Sequence, residues 1–444
     1  MTFDFDPPDD APVWLLPAVY VLDQWMGRNA SPRESIATPA NRRLQPDERA
    51  LLMQIAYGAI RDERKLSWAL GESIEELDRN ARAAAIVLAE AFVVLALDLD
   101  EVRHLFERWS TVELQWDSLL DAEDAIAELE DDVQRFALQH SLPDWIAQLL
   151  LREFGDEADA IALSMAAPPP RAIRANRLRL ADRSALALKL AEAGISTILG
   201  RYAPDALVVT DNSSLFDTVA YREGGFEQQD EGSQLVALVT APPPKGRVLD
   251  ACAGAGGKSL ALAAMLQNAG RVLAVDVHKG RVDDVKQRAG RAGAFNLTAE
   301  VVPEDSWPES VATFAASADR ILLDVPCSGL GSWRRRPEAR WTLAPQDLDK
   351  LERTQRELID RAVLALKPGA RLVYATCTML RRENEGQVEA AMQRHPQLEL
   401  VRIAEILGKE KATAIADPTG TFLSLRPDRH ATDGFFAAVL RKKK

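Results

Sequence analysis

From Arg247 onward, short apolar runs rich in β-branched residues alternate with longer stretches of helical character. The apolar runs are Val248-Leu249, Val272 to Val277, Thr298 to Val302, Ile321 to Val325, Arg371 to Ala375 and Phe435 to Leu440. Continuous apolarity, rather than in-out alternation, fits strands covered on both faces. Such strands separated by helices specify a doubly wound parallel sheet. That pattern predicts a Rossmann-like α/β domain over 241–444.

The first part of the chain reads differently. Trp14, Leu15, Ala18, Val19, Leu22, Trp25 and Met26 recur at helical spacing, as do Leu51, Leu52, Ile55, Ala56, Ala59 and Ile60. Pro143 and Asp144 open a further helix that Gly155 ends. No strand-like alternation appears, so 1–160 is expected to be an all-helical domain. Pro168, Pro169 and Pro170 break the pattern. A small mixed α/β unit over 161–240 is expected next, closed by the second proline run, Pro242 to Pro244. The apolar run Ala83 to Leu97 is interrupted by Glu90 and is too short to span a bilayer, so a buried helix is expected. The segment MTFDFDPPDD lacks a basic region ahead of an apolar core and does not read as a signal peptide. A cytoplasmic protein without a membrane partner is the expectation.

The glycine turn VLDACAGAGGKSLALAA (248–264) follows the first strand of this α/β region and opens a helix. Gly254, Gly256 and Gly257 allow close backbone approach to a ligand. A P-loop would need glycine where Cys252 stands, and a dinucleotide fingerprint starting at Gly254 would need glycine where Ser259 stands. A short glycine loop followed by an acid at the end of the second strand, here Asp276, fits S-adenosylmethionine sites, although an ordinary strand–helix turn looks the same locally.

The three cysteines, Cys252, Cys327 and Cys377, have no CxxC spacing and no histidine cluster, so neither a disulfide framework nor a metal site is expected. Two of them follow apolar strands, in DRILLDVPCSGLGSWRRRPEARW (319–341) and RLVYATCTMLRRENEGQV (371–388). The carboxyl ends of strands in an open α/β sheet face the ligand crevice, which makes Cys327, Cys377 and Asp324 candidates to meet in one pocket. A single buried cysteine is usually only a small hydrophobe. Two at strand ends of a sheet that also carries a cofactor loop are a different matter.

These segments resemble the RNA cytosine-C5 methyltransferases, and within them the RsmB (Fmu/Sun) type that methylates 16S ribosomal RNA. QPDERALLMQIAYGAIRDERKLSWAL (45–70) is similar to a NusB-like helical domain, with SLPDWIAQLLLREFGDEA (141–158) similar to the helix that closes it. RAIRANRLRL (171–180) resembles the R-x-N-x-L segment of the family's small ferredoxin/RRM-like unit, and FEQQDEGSQLVAL (226–238) its Q-D-x-x-S-Q stretch. Two departures stand out: Ala255 where the family often has proline, and Glu304-Asp305 where many members have a Gly-Asp-Gly turn.

The resemblance implies S-adenosylmethionine as cofactor and rRNA, naked or in a small-subunit assembly particle, as partner of a monomeric enzyme. It implies Cys377 as the nucleophile at C6 and Cys327 as the residue that releases the adduct. Asp324 would sit on the N3/N4 edge of the base, with Lys258 lowering a thiol pKa or contacting the base. Cofactor contacts would come from Cys252, Ala253, Gly254, Ala255, Gly256, Gly257 and Lys258, with Asp276 and Arg281 at the ribose, Asp305 at the adenine and Asp324 nearby. RNA contacts are expected from Arg171, Arg174 and Asn176, and from Arg334, Arg335, Arg336 and Arg340, interleaved with Trp333 and Trp341. A transfer-RNA cytosine methyltransferase, or a non-catalytic RNA-binding protein on the same core, are the alternatives.

A net charge of −13 argues at first against a polyanionic substrate. Residues 98–132, however, hold 13 Asp/Glu against Arg103 and Arg108, a net of −11, which leaves −2 for the other 409 residues. Binding responds to the local field near the phosphates, so the acidic segment is expected to face away from RNA rather than to exclude it.

Overall fold

The computed structural model describes residues 11–28, 30–38 and 41–444. The chain forms two compact units. One comprises the residues up to Ala167 together with Trp333–Ala344, and the other Pro168–Ser332 with Pro345–Lys444.

The first unit has helices and no strand among its described residues. Helices Leu15–Arg28, Pro46–Arg61 and Arg79–Leu95 surround a core that includes Leu22, Ile55, Ala59 and Ile86. Asp78 caps the third of them, its side chain accepting from Ala81 N at 2.8 Å. Residues Ala83 to Ala91 of this helix are all buried, Glu90 among them, so the apolar run is a core helix. No helix of the described residues is long and apolar enough to cross a membrane. The segment Trp333–Ala344, expected as a basic extension of the α/β domain, belongs to this helical unit instead. Trp341 Nε1 donates to Ile60 O at 2.7 Å, and its ring packs on the helical core.

The second unit holds two sheets. Strands β1 (Arg171–Ala175), β2 (Thr197–Leu199), β3 (Ala206–Val209) and β4 (Phe226–Gln228) form an antiparallel sheet in the order β2-β3-β1-β4. Helix Arg183–Glu192 contributes Leu186 and Leu190 to its core, beside Ile173, Leu207 and Phe226.

The larger sheet contains β5 (Arg247–Asp250), β6 (Arg271–Asp276), β7 (Leu297–Val301), β8 (Arg320–Asp324), β9 (Arg371–Thr376), β10 (Leu398–Val401), β11 (Leu423–Leu425) and β12 (Phe435–Lys442). Its order is β10-β12-β9-β8-β5-β6-β7, with β11 on β12. Strands β5 to β9 run parallel, whereas β12 is antiparallel to β9 and to β10. The period-two geometry of a strand sends alternate residues to opposite faces. Val248, Val272, Leu322 and Val373 enter one core, and Leu249, Leu273, Ile321 and Leu372 the other. Both faces are thus covered, which is why these strands read as unbroken apolar runs. The order reverses between β5 and β8, and an open α/β sheet forms its ligand crevice outside the strand ends at such a reversal.

Candidate active site

The glycine loop follows β5 at this reversal. Gly254 and Gly256 have positive φ, +53° and +83°. A Cβ on Gly256 would lie 2.9 Å from Val285, whereas one on Gly254 would meet nothing and would intrude into the open cradle. Asp276, at the end of β6, is buried and accepts from Gly254 N and His278 N, both at 2.9 Å. Arg281 Nη1 lies 3.7 Å from the same carboxylate. The loop is held open from behind by Arg288, which donates to Ala255 O and to Glu227. Glycines that clear the space and an acid pinned at the neighbouring strand end fit a nucleoside-bearing cofactor. Asp305 is exposed in the loop after β7, its Oδ1 accepting from Ser306 Oγ at 3.1 Å. Cys252 packs against the apolar layer under the sheet, and burial, then the nearby Asp250 carboxylate, push its thiol far up. It is a packing residue.

A buried lysine and a carboxylate meet beside the loop. Lys258 Nζ is 2.7 Å from Asp324 Oδ2 and 5.0 Å from the centre of the Phe435 ring. Burial alone would lower the Lys258 pKa, but Asp324 outweighs it and the net shift is upward, so the ammonium is retained. Beneath the glycine loop Asp250 accepts from Ser259 Oγ at 2.6 Å, and burial pushes its carboxyl up to about 7.

Cys327 and Cys377 lie with their sulfurs 3.4 Å apart, and Cys377 N also points at Cys327 Sγ at 3.4 Å. Their hydrogen bond splits the pair. It raises Cys327 well above an ordinary thiol, with burial adding to the rise. It lowers Cys377, against the opposing effect of burial and with help from Lys258. Both shifts favour a thiolate on Cys377 over one on Cys327.

A carboxylate that the sequence did not single out locks the two cysteine loops together. Glu383 is fully buried; it accepts from Ser328 N at 2.9 Å, Ser328 Oγ at 2.5 Å and Gln355 Nε2 at 3.0 Å. Ser328 Oγ also meets Thr378 Oγ1 at 2.9 Å, and Asn384 Nδ2 donates to Thr378 O at 3.1 Å. Ser328 follows Cys327 and Thr378 follows Cys377, so this network sets the sulfur separation. Its only trace in the sequence is the run of polar residues in RRENE, too polar for a surface-free core unless satisfied internally.

The arginine-rich strips behave otherwise than their composition suggested. Arg174 is buried, donates from Nε to Gln229 Oε1 at 2.7 Å, and has its pKa lowered to about 10 by burial. Asn176 is buried and donates to Gly224 O at 2.8 Å and Ala292 O at 2.9 Å. Arg171 donates to Asp211 O and to Ser213 O, which braces the small sheet. Arg340 is 1% exposed and 3.5 Å from His140 O, inside the helical unit. These four arginine and asparagine side chains hold structure, and Arg174, Asn176 and Arg340 do not present themselves to a polyanion. Trp333 is buried too. Arg334 and Arg335 are half-buried, and Arg336 is exposed with Glu338 at 3.4 Å.

Comparison with known proteins places this site in a family. Residues 237–441 match the family model "16S rRNA methyltransferase RsmB/F", and 142–215 match the ferredoxin-like domain of the same proteins. A probable ribosomal RNA small subunit methyltransferase B of Bacillus subtilis is 34% identical over 71% of this chain and 69% of its own length. The chain belongs to the RsmB/F methyltransferase family. It is an RNA methyltransferase. A Synechocystis relative of the same name is 27% identical over 90% of this chain and 92% of its own. The fold agrees with a methyltransferase homologue from Pyrococcus horikoshii (TM-score 0.60, 26% identity, covering 71% of this chain and all of that one). NSun6 from the same organism gives a TM-score of 0.58 at 22% identity, covering 67% of this chain and 97% of that one.

Proposed function

We propose that the protein methylates C5 of a cytosine in 16S ribosomal RNA through a covalent adduct between Cys377 and C6. The observation that carries this reading is the 3.4 Å sulfur pair, polarised towards a Cys377 thiolate and set beside the Lys258–Asp324 ion pair. Its support from relatives is that several are named small subunit methyltransferase B.

Cytosine C5 is too electron-poor to attack a methyl donor unaided. Adding the Cys377 thiolate at C6 moves the C5–C6 π electrons towards N3 and makes C5 nucleophilic. Asp324, with Lys258 at its side, orients the N3/N4 edge and handles the proton there. S-adenosylmethionine, when bound in the glycine cradle with its ribose at Asp276, supplies the electrophilic methyl group. Once the C5–methyl bond exists, H5 must leave and the C6–sulfur bond must break, which returns the electron pair to Cys377. Cys327 is the base assigned to H5. Its high proton affinity derives first from Cys377, so conversion of that thiolate to a thioether eases transfer of the Cys327 proton to solvent, and the resulting Cys327 thiolate then takes H5. The target base has to leave its stack to reach this pocket.

Bisulfite sequencing of rRNA and tRNA from a strain lacking the gene tests the substrate. One 16S cytosine losing its protection is the expected result. An unchanged 16S pattern, with a tRNA site lost instead, would overturn it.

A further inference from the structure

A cavity of about 470 Å³ opens in the second unit between the small sheet's flanking segments and helix Lys279–Ala292. Arg179, Lys189, Arg222 and Arg291 line it against a single carboxylate, Glu223. In a chain of net charge −13 that is a concentrated positive site.

Four observations distinguish this arrangement from a simple solvated face. Arg179 is exposed but tethered: its Nη2 donates to Arg291 O at 3.2 Å, and its guanidinium lies over Gly293, where a Cβ would come within 2.9 Å of Cζ. Gly293 has φ +71° and closes the helix, so the close approach is built into the backbone. Arg291 is anchored on Glu227 and over the Tyr221 ring, 3.9 Å from its centre. Among the described residues neither Arg179 nor Arg222 has a carboxylate partner, which leaves most of ten guanidinium N–H donors uncommitted. Gly290, which also lines the cavity, lies inside the helix, where glycine is less stable than alanine. A Cβ there would meet nothing within 4 Å, so packing within the protein does not call for glycine.

We propose that this cavity binds the phosphodiester backbone of an RNA strand through Arg179, Arg222 and Lys189. Planar guanidinium groups suit phosphate, the Arg179 one held against Gly293, and the missing side chain at Gly290 lets a backbone approach. Lys189, now 3.3 Å from Glu223, exchanges that exposed partner for phosphate at little cost. This inference rests on RNA being the substrate, but not on cytosine C5 as the target.

The test is binding of the full-length protein to a fluorescein-labelled oligouridylate of about 12 nucleotides, titrated over a range of salt without cofactor. Arg222→Glu is expected to weaken binding roughly tenfold and to lower the log–log salt slope by about 0.7 or more, the value for one phosphate on a single strand. Arg179→Ala should lower the slope similarly. If its loss of packing on Gly293 unfolds the protein, the exposed Arg222 variant decides. Lys409→Glu, an exposed cation outside the cavity, controls for net charge. Unchanged affinity and slope in Arg222→Glu would overturn the proposal, as would an equal loss in Lys409→Glu. An oligoglutamate that binds more tightly than the RNA, and loses that binding in Arg222→Glu, would assign the cavity to an acidic polypeptide instead. Because no methyl transfer is read, failure here is separable from failure of the C5 mechanism.

Discussion

Cys327 and Cys377 come from different strand ends, 50 residues apart in sequence, and meet sulfur to sulfur at 3.4 Å. The two thiols shift in opposite directions, Cys327 upward and Cys377 downward. Alkylation by iodoacetamide near neutral pH, mapped by mass spectrometry, should therefore mark Cys377 well before Cys327 or Cys252. Cys327→Ala removes the S–H donor, so the midpoint for Cys377 alkylation should move to higher pH.

Lys258 acts on both Asp324 and Cys377. Lys258→Met takes away the cation that favours the Cys377 thiolate, so neutral-pH alkylation of Cys377 should slow. Asp324→Asn keeps the shape but not the charge beside Lys258. Single-turnover methyl transfer should drop by roughly 10²–10⁴-fold, the range for a lost acid–base group.

Glu383→Ala would leave Ser328 N, Ser328 Oγ and Gln355 Nε2 without their shared acceptor in a fully buried position. Leaving a buried donor unsatisfied is expected to cost about 1–3 kcal/mol, read as a lower denaturant midpoint. Glu383→Gln, which keeps an acceptor oxygen, should lose less.

Much of the large sheet was legible because both its faces are buried. Val272 to Val277 and Arg371 to Ala375 announce themselves as apolar runs, and strand ends at a topological reversal locate the cysteines. The three-residue strands Thr197–Leu199, Phe226–Gln228 and Leu423–Leu425 are too short to show any period. Arg174, Asn176 and Arg340 looked like an RNA surface because a sequence does not distinguish a solvated arginine from one enclosed by carbonyls. The docking of Trp341 on Ile60 joins positions 281 residues apart, and nothing local encodes it. Glu383 was hidden for the same reason: its partners Ser328 and Gln355 are distant in sequence.

Glu90 gives the helical unit a pH dependence. Burial, reinforced by Asp62, pushes its carboxyl up to about 8, above the ordinary carboxylate range of an unfolded chain. The folded state thus binds this proton more tightly. Its stabilising contribution is complete below about pH 4 and is lost as pH rises towards 8. Glu90→Gln should remove that fall, so its thermal midpoint should exceed that of the wild type increasingly from pH 5 to pH 8.

The most direct test of the mechanism is denaturing electrophoresis of the protein after incubation with 16S RNA and S-adenosylmethionine. Cys327→Ala should accumulate a covalent protein–RNA band, because the adduct forms on Cys377 and is not released, and Cys377→Ala should form none and transfer no methyl group. Equal, adduct-free loss of activity in both variants would contradict the roles assigned to the two sulfurs.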